Sequence, residues 1–178
     1  HRAGYDFIIQ GMSGLMSITG EPEGQPQKSG VAITDLFTGA YATTAILAAV
    51  HQRTQTGHGQ HIDMALLDVA VAITSNQAMN YLTTGKAPGR MGNAHMNLTP
   101  YQGFDCADGH IIIATGNDGQ YQRLCHLLGL DEMITEPKFL KNSNRIANRA
   151  EMTERLTGAT VLRARDDLLA ACEDAGVP

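Results

Sequence analysis

Residues 30–52 read GVAITDLFTGAYATTAILAAVHQ. A short apolar run, Val31–Ala32–Ile33, leads through Thr34 and Asp35 into a stretch where Leu36, Phe37, Tyr41, Ile46, Leu47 and Val50 are separated mostly by alanine. That spacing predicts a helix over 36–52 that is apolar nearly all round, and a helix of this kind is normally buried. Its small residues allow a neighbouring element to approach closely. Working outward, TQTGHGQ (54–60) predicts a turn. HIDMAL (61–66) alternates and predicts a strand. LDVAVAITSNQAMNYLTTG (67–85) predicts a second helix that stops at Gly85, a C′ glycine. Upstream, Tyr5–Ile18 starts as a helix and runs into a loop, and GEPEGQPQKSG (20–30) is a surface loop. Helix, strand and helix in that order describe an α/β layer.

The remainder has a different texture. GKAPGRMGNAHMNLTP (85–100) is either a linker or a functional loop. YQGFDCADGHIIIATG (101–116) predicts two short strands around an Asp108–Gly109 turn. DGQYQRLCHLLGL (118–130) is an amphipathic helix with Tyr121, Leu124, Cys125 and Leu128 on one face. A polar connection over 136–149 precedes helices over Ala150–Leu156 and Arg165–Ala175. The expected division is therefore an α/β segment at 1–85 followed by a loop and a small α+β domain at 86–178.

The chain has 178 residues, a net charge of −5, 43% hydrophobic residues and 17% charged residues. It carries no long basic run, which argues against nucleic acid or an anionic membrane as the main partner. No apolar stretch is expected to reach the ~20 residues of a membrane span, and no signal peptide is visible. Cys106, Cys125 and Cys172 are odd in number and widely spaced, the pattern of reduced thiols in a cytoplasmic protein. The start at His1 without methionine and the end on EDAGVP predict a piece of a longer polypeptide.

Asp35 is the first candidate for chemistry. By position alone it is a helix N-cap, the commoner role for aspartate there. Position 38 is threonine, so there is no capping box. Thr34 is the alternative cap and would leave Asp35 free. A first-turn carboxylate is held ionised by the helix dipole, which suits a nucleophile as well as a cap. His51, His58 and His61 show no recognised metal spacing, and no G-x-S-x-G occurs. GHG (57–59) lacks the third glycine of a dinucleotide loop. GNDGQ (116–120) follows a strand and opens a helix, the context of an anion site, though a plain β–α turn is the simpler reading. Asp68 belongs to a helix start and Asp63 to strand pairing or a local hydrogen bond.

Taken together, GYDFIIQGMSGLMSITGEPEGQP, GVAITDLFTGAYATTAILAA, TGHGQHIDMALLD and NYLTTGKAPGRMGNAHMNLTPYQGF resemble the class III CoA-transferase family, in order and over nearly the whole chain. The resemblance implies part of a Rossmann-like large domain followed by the small α+β domain, taken from the middle of a longer chain. It implies that Asp35 is the nucleophile, forming first a mixed anhydride with the acyl group of an acyl-CoA and then an aspartyl-CoA thioester. It places Tyr5 and Gln10 along the CoA and acyl site, and Leu66 where some members have a methionine that contacts CoA. Gly92–Thr99 matches a mobile loop that closes over the site, with Gly92, Asn93, Ala94, His95, Met96 and Asn97 as its binding residues. Here that loop lacks the glycine run of formyl-CoA-transferring members, which argues against oxalate and formate. The implied co-substrate is a coenzyme A thioester with a small carboxylic acid. No tightly bound cofactor or metal is implied. The implied assembly of the complete chain is an interlocked homodimer, and the CoA-phosphate contacts lie mostly outside this chain.

The implied chemistry is physically sound. A carboxylate with a pKa near ~3.9 needs no general base at neutral pH, and a thiolate from a thiol of pKa about 8.5 is a good leaving group. Backbone N–H groups at the helix start are expected to hold the oxyanion, and loop closure to exclude water. The rival on the same fold is an α-methylacyl-CoA racemase, whose branch carries a His–Asp pair where this sequence has Tyr5–Asp6. A tyrosine with a pKa near ~10 is a poor base at neutral pH, which favours transfer. A third reading, an inactive acyl-CoA-binding piece, follows from the expected truncation.

Overall fold

The opening stretch turns helical at Ile33, three residues before the expected start, and stays helical to Thr56. Gly57, at φ +77°, ends it as a left-handed C-cap. The computed structural model describes residues 4–178. It divides into two units, one ending at Gly92 and the other covering Asn93–Pro178.

The first unit contains α1 (Asp6–Met12), a 3-10 turn at Met16–Ile18, α2 (Ile33–Thr56), α3 (Leu66–Ala72) and α4 (Ser75–Thr84). α3 packs on α1 and α2 and buries Val69 and Ala70. The expected 54–60 turn is shorter than predicted, because helix persists until glycine supplies the positive φ. The expected strand at 61–66 is not formed. Alternation alone makes no strand, and no other strand among the described residues of this unit offers it a partner. The single helix expected over 67–85 is two helices, broken at Ser75, whose φ is +47°. Gly85 does close the second in the left-handed conformation.

The expectation that α2 is buried also fails. Only Thr34 is buried along its length, while Leu36 is 63% exposed and Leu47 65% exposed. The same helix corrects the membrane expectation: at 24 residues it is long and apolar enough, by length and composition, to cross a bilayer. The expectation failed because periodicity reports a need for apolar neighbours and cannot say whether this chain supplies them.

Residues 86–92 belong to the first unit. Gly92 N–H donates to Gly20 O at 2.9 Å, and the Arg90 guanidinium donates to the carbonyls of Glu21, Pro22 and Gly24. Gly92 has φ +56°, a conformation that side chains rarely adopt, so the backbone here favours glycine.

The second unit is an antiparallel hairpin with helices packed on it. β1 (Tyr101–Cys106) pairs with β2 (Gly109–Ala114), in register from Tyr101↔Ala114 to Cys106↔Gly109. Phe104, Cys106, Ile111 and Ile113 alternate into the core, and Ile112 points away at 70% exposed. The connecting residues are Ala107 and Asp108; neither they nor Gly109 adopts a positive φ. The helices are α5 (Asp118–Leu128), α6 (Glu132–Thr135), α7 (Asn142–Ala147), α8 (Arg149–Thr160) and α9 (Arg165–Ala175). α5 buries Tyr121, Leu124 and Cys125 as its periodicity predicted, with Leu128 partly buried. α9 matches its expected bounds. The expected polar connection over 136–149 carries α7, and α8 is longer than predicted. The three cysteines are free and buried.

Candidate functional site

The start of α2 is the centre of the candidate site. Ala32 occupies the N-cap position and offers no side-chain acceptor. Capping comes from another helix. Asp6 Oδ1 accepts the Thr34 N–H at 2.8 Å and the Thr34 hydroxyl at 2.5 Å. Asp6 Oδ2 accepts Gln10 Nε2 at 2.7 Å, and Gln10 Oε1 accepts the Ser29 N–H at 2.8 Å. Thr34 and Gln10 are both fully buried. Burial pushes the Asp6 carboxyl upward, but the hydrogen bonds from the Thr34 hydroxyl, from Gln10 and from the Thr34 and Asp35 backbone outweigh it and hold the group below its ordinary value.

Asp35 is therefore not the cap, and neither is Thr34. Asp35 lies in the first turn with an exposed carboxylate that has no hydrogen bond or ion pair among the described residues. Position predicted a cap because aspartate and a helix start adjoin in sequence. The structure gives the task to a carboxylate 28 positions upstream of Thr34.

A second expectation changes with this. Ile33 N–H donates to Val31 O, and Leu36 N–H to Ala32 O. The Thr34 N–H is taken by Asp6. Three of the four first-turn N–H groups, those of Ile33, Thr34 and Leu36, therefore have partners, and the expected oxyanion donors reduce to the Asp35 N–H at this helix start.

The other predicted site residues fall as follows. Tyr5 precedes α1 in extended conformation and is 77% exposed. Gln10 is the buried brace just described, with both ends of its amide engaged. Leu66 is the first, half-buried residue of α3. Gly92 closes the first unit, and Asn93–Asn97 belong to the second.

Within the second unit, the loop expected to be mobile is tied down from His95 onward. His95 N–H donates to Tyr101 O at 2.9 Å. Arg149 Nη2 donates to the carbonyls of His95 at 2.8 Å and Met96 at 3.2 Å. Asn142 donates to Asn97 O at 2.8 Å, and Arg145 Nε to Thr99 O at 3.0 Å. Arg145 is buried, lies 4.3 Å over the Tyr121 ring and pairs with Asp118 at 2.7 Å. Burial lowers the Arg149 pKa from its ordinary value.

Sequence reasoning passed over Asp6 as a cap, and it passed over both arginines. The Asp6–Gln10 spacing of four on a helix was the one available sign. Arg149 stands at the first position of α8, where the helix dipole disfavours a cation; that misplacement was the signal. GNDGQ proves to be a self-capped turn. Asn117 Oδ1 accepts Gln120 N–H at 2.9 Å, and Gln120 Oε1 accepts Gly116 N–H at 2.7 Å. No cluster of metal-ligating residues occurs among the described residues.

The family model for CoA-transferase family III matches residues 1–178. A succinate–glutarate CoA-transferase from Agrobacterium fabrum is 51% identical over 99% of this chain and 44% of its own length. A human succinyl-CoA:glutarate CoA-transferase is 42% identical over 99% of this chain and 40% of its own. A CaiB/BaiF family protein from Brucella suis superposes with a TM-score of 0.77 at 55% identity, over 99% of this chain and 47% of that one. The chain spans less than half the length of the relatives it matches.

Proposed function

The chain belongs to CoA-transferase family III, and on that footing we propose that the complete protein transfers coenzyme A between small carboxylic acids with Asp35 as the nucleophile. The observation that carries the reading is the free Asp35 carboxylate at a helix start where Asp6 takes the Thr34 N–H and hydroxyl. A first-turn carboxylate relieved of capping is exposed and able to attack.

In this reading an Asp35 oxygen bonds to the acyl carbon of the thioester, the C–S bond breaks, and CoA leaves as thiolate. The thiolate then attacks the Asp35 carbonyl carbon of the mixed anhydride. The acyl group departs as a free carboxylate and an aspartyl-CoA thioester remains. The acceptor carboxylate runs the same two steps in reverse, restoring Asp35. Each bond is exchanged for one of similar transfer potential, provided water is kept out.

The relatives named for succinate, glutarate and succinyl-CoA support a small dicarboxylate as one substrate. The exposed apolar length of α2 supports its being covered in the complete protein, as the core helix of a Rossmann-like domain in an interlocked homodimer. The acidic charge and the buried, unpaired thiols support a cytoplasmic setting. The test is trapping: the complete protein with succinyl-CoA and hydroxylamine yields a hydroxamate at Asp35 by mass spectrometry. The Asp35→Asn variant yields none and loses turnover. Equal turnover by the variant removes Asp35 from the role.

A further inference from the structure

Three buried polar atoms of the second unit have no hydrogen-bond partner among the described residues: Thr99 Oγ1, Arg149 Nη1 and Thr153 Oγ1. Leaving such atoms unpaired is costly, and folded proteins rarely tolerate it.

Their places in the fold bring the three together. Arg149 and Thr153 are four residues apart on α8, so they share a face and lie about 6 Å apart along the helix axis. Leu156 and Thr160 continue that face at the helix period, and both are buried. The face lies along β1 and the residues before it. At one end Arg149 Nη2 donates to the carbonyls of His95, Met96 and Leu98. At the other the Thr160 hydroxyl donates to Asp105 O at 2.7 Å. Thr153 stands between these two anchors, nearer the first, and so faces the stretch that begins at Thr99. Thr99 is 1% exposed, and its backbone is already engaged: its N–H donates to Asn142 Oδ1 at 3.2 Å, and its carbonyl accepts Arg145 Nε at 3.0 Å. Only its hydroxyl is left.

The chemistry of the three atoms selects the ligand. A metal cation would face a guanidinium. An anion would lie close to three carbonyl oxygens, whose partial charges repel it. A water suits both kinds of neighbour, because it accepts from the guanidinium and exchanges hydrogen bonds with the two hydroxyls. Three bonds is also the usual number for a buried water.

We propose that one ordered water is bound inside the second unit by Arg149 Nη1, Thr153 Oγ1 and Thr99 Oγ1. It ties α8 to the base of β1, and it completes the bonding of the arginine that holds the 95–98 carbonyls. The site uses neither Asp35 nor a substrate, so it stands or falls apart from the transfer reading.

Valine replacements distinguish a hydroxyl that serves a water from one that serves nothing. Valine keeps the shape of threonine and removes the hydroxyl. Removing an unpaired hydroxyl is neutral or favourable, whereas removing one that bonds the water is unfavourable. In the complete protein, hydrogen exchange of the α8 amides reads the difference. Thr99→Val and Thr153→Val are each expected to speed that exchange about 2- to 10-fold, the worth of one hydrogen bond. Because both serve one water, the double variant speeds exchange by less than the product of the two single effects. A high-resolution crystal structure of the wild type shows an oxygen-sized peak about 2.7–3.2 Å from all three atoms.

Unchanged or slower exchange in both single variants overturns the proposal, and so does a double variant that equals the product. A wild-type crystal whose two hydroxyls bond protein carbonyls directly, with no peak between them, also overturns it. Anomalous signal at the site after soaking in bromide makes it an anion site and not a water site. If a variant fails to fold, the wild-type density decides alone.

Discussion

Replacing Asp6 tests whether the start of α2 is held from α1. In Asp6→Ala, three donors lose their acceptor: the Thr34 N–H, the Thr34 hydroxyl and Gln10 Nε2. The side chains of Thr34 and Gln10 are fully buried beneath the half-buried Asp6, so the lost carboxylate leaves their donors unpaired. Two unpaired buried donors at about 1–3 kcal/mol each, and a lost cap at about 1 kcal/mol, give a cost of about 3–7 kcal/mol. That is a large part of the roughly 5–15 kcal/mol that holds a typical domain. Asp6→Asn is milder. Its oxygen still serves Thr34, but its amide faces the Gln10 amide, and turning Gln10 round would set that amide against the Ser29 N–H. One unpaired donor remains, at about 1–3 kcal/mol.

The pH dependence has a definite sign. The folded Asp6 carboxyl lies below its ordinary value of 3.8. Its contribution is therefore fully present above that value and is lost as pH falls through the lower, folded one. The gap between wild type and Asp6→Asn should be constant from neutral pH down toward 3.8 and narrow below it. Urea unfolding followed by circular dichroism measures the gap, and hydrogen exchange in α1 and α2 localises it. An Asp6→Ala cost under about 1 kcal/mol, the worth of an exposed ion pair, would refute the reasoning. So would a gap that does not narrow in acid.

Two further outcomes test the second unit. Arg145→Met strands the buried carbonyls of Thr99 and Phe139 and removes the guanidinium from the Tyr121 ring. It should cost about 3–5 kcal/mol by urea unfolding, and should speed hydrogen exchange in α7 and at the base of the 95–99 segment. Burial pushes the Cys125 thiol up to about 11. In the native chain at neutral pH it should resist iodoacetamide, reacting only once denaturant exposes it; rapid native alkylation would contradict its place in the core.

Much of the second unit was legible in the sequence because its signals are local. Alternation in 101–114 and the period of α5 each describe one face against one core, and both faces found that core. The turn was legible as a position though not as a type: Asp108–Gly109 marks the bend, yet Gly109 serves as the first residue of β2. Beyond that bend, Asp108 accepts the Arg165 N–H at 2.6 Å at the start of α9, a contact that no short-range pattern encodes. In the first unit the same signals misled. The 61–66 alternation lacks a strand to pair with, and the apolar α2 stands exposed, because both features call for neighbours that the described residues do not supply.

The candidate site divides in the same way. From sequence alone came the family resemblance, the helix that carries Asp35, and the chemical competence of a carboxylate at that position. These depend on residue types and their order. The tertiary structure decided that Asp6 caps α2 and leaves Asp35 free, that Gln10 is a buried brace, that Asn117 and Gln120 cap their own turn, and that Arg149 ties the 95–96 carbonyls. Each of these is a hydrogen-bond partnership, three of them between groups far apart in the chain. A donor's partner is set by where the fold brings an acceptor within 3 Å, and residue order does not carry that distance.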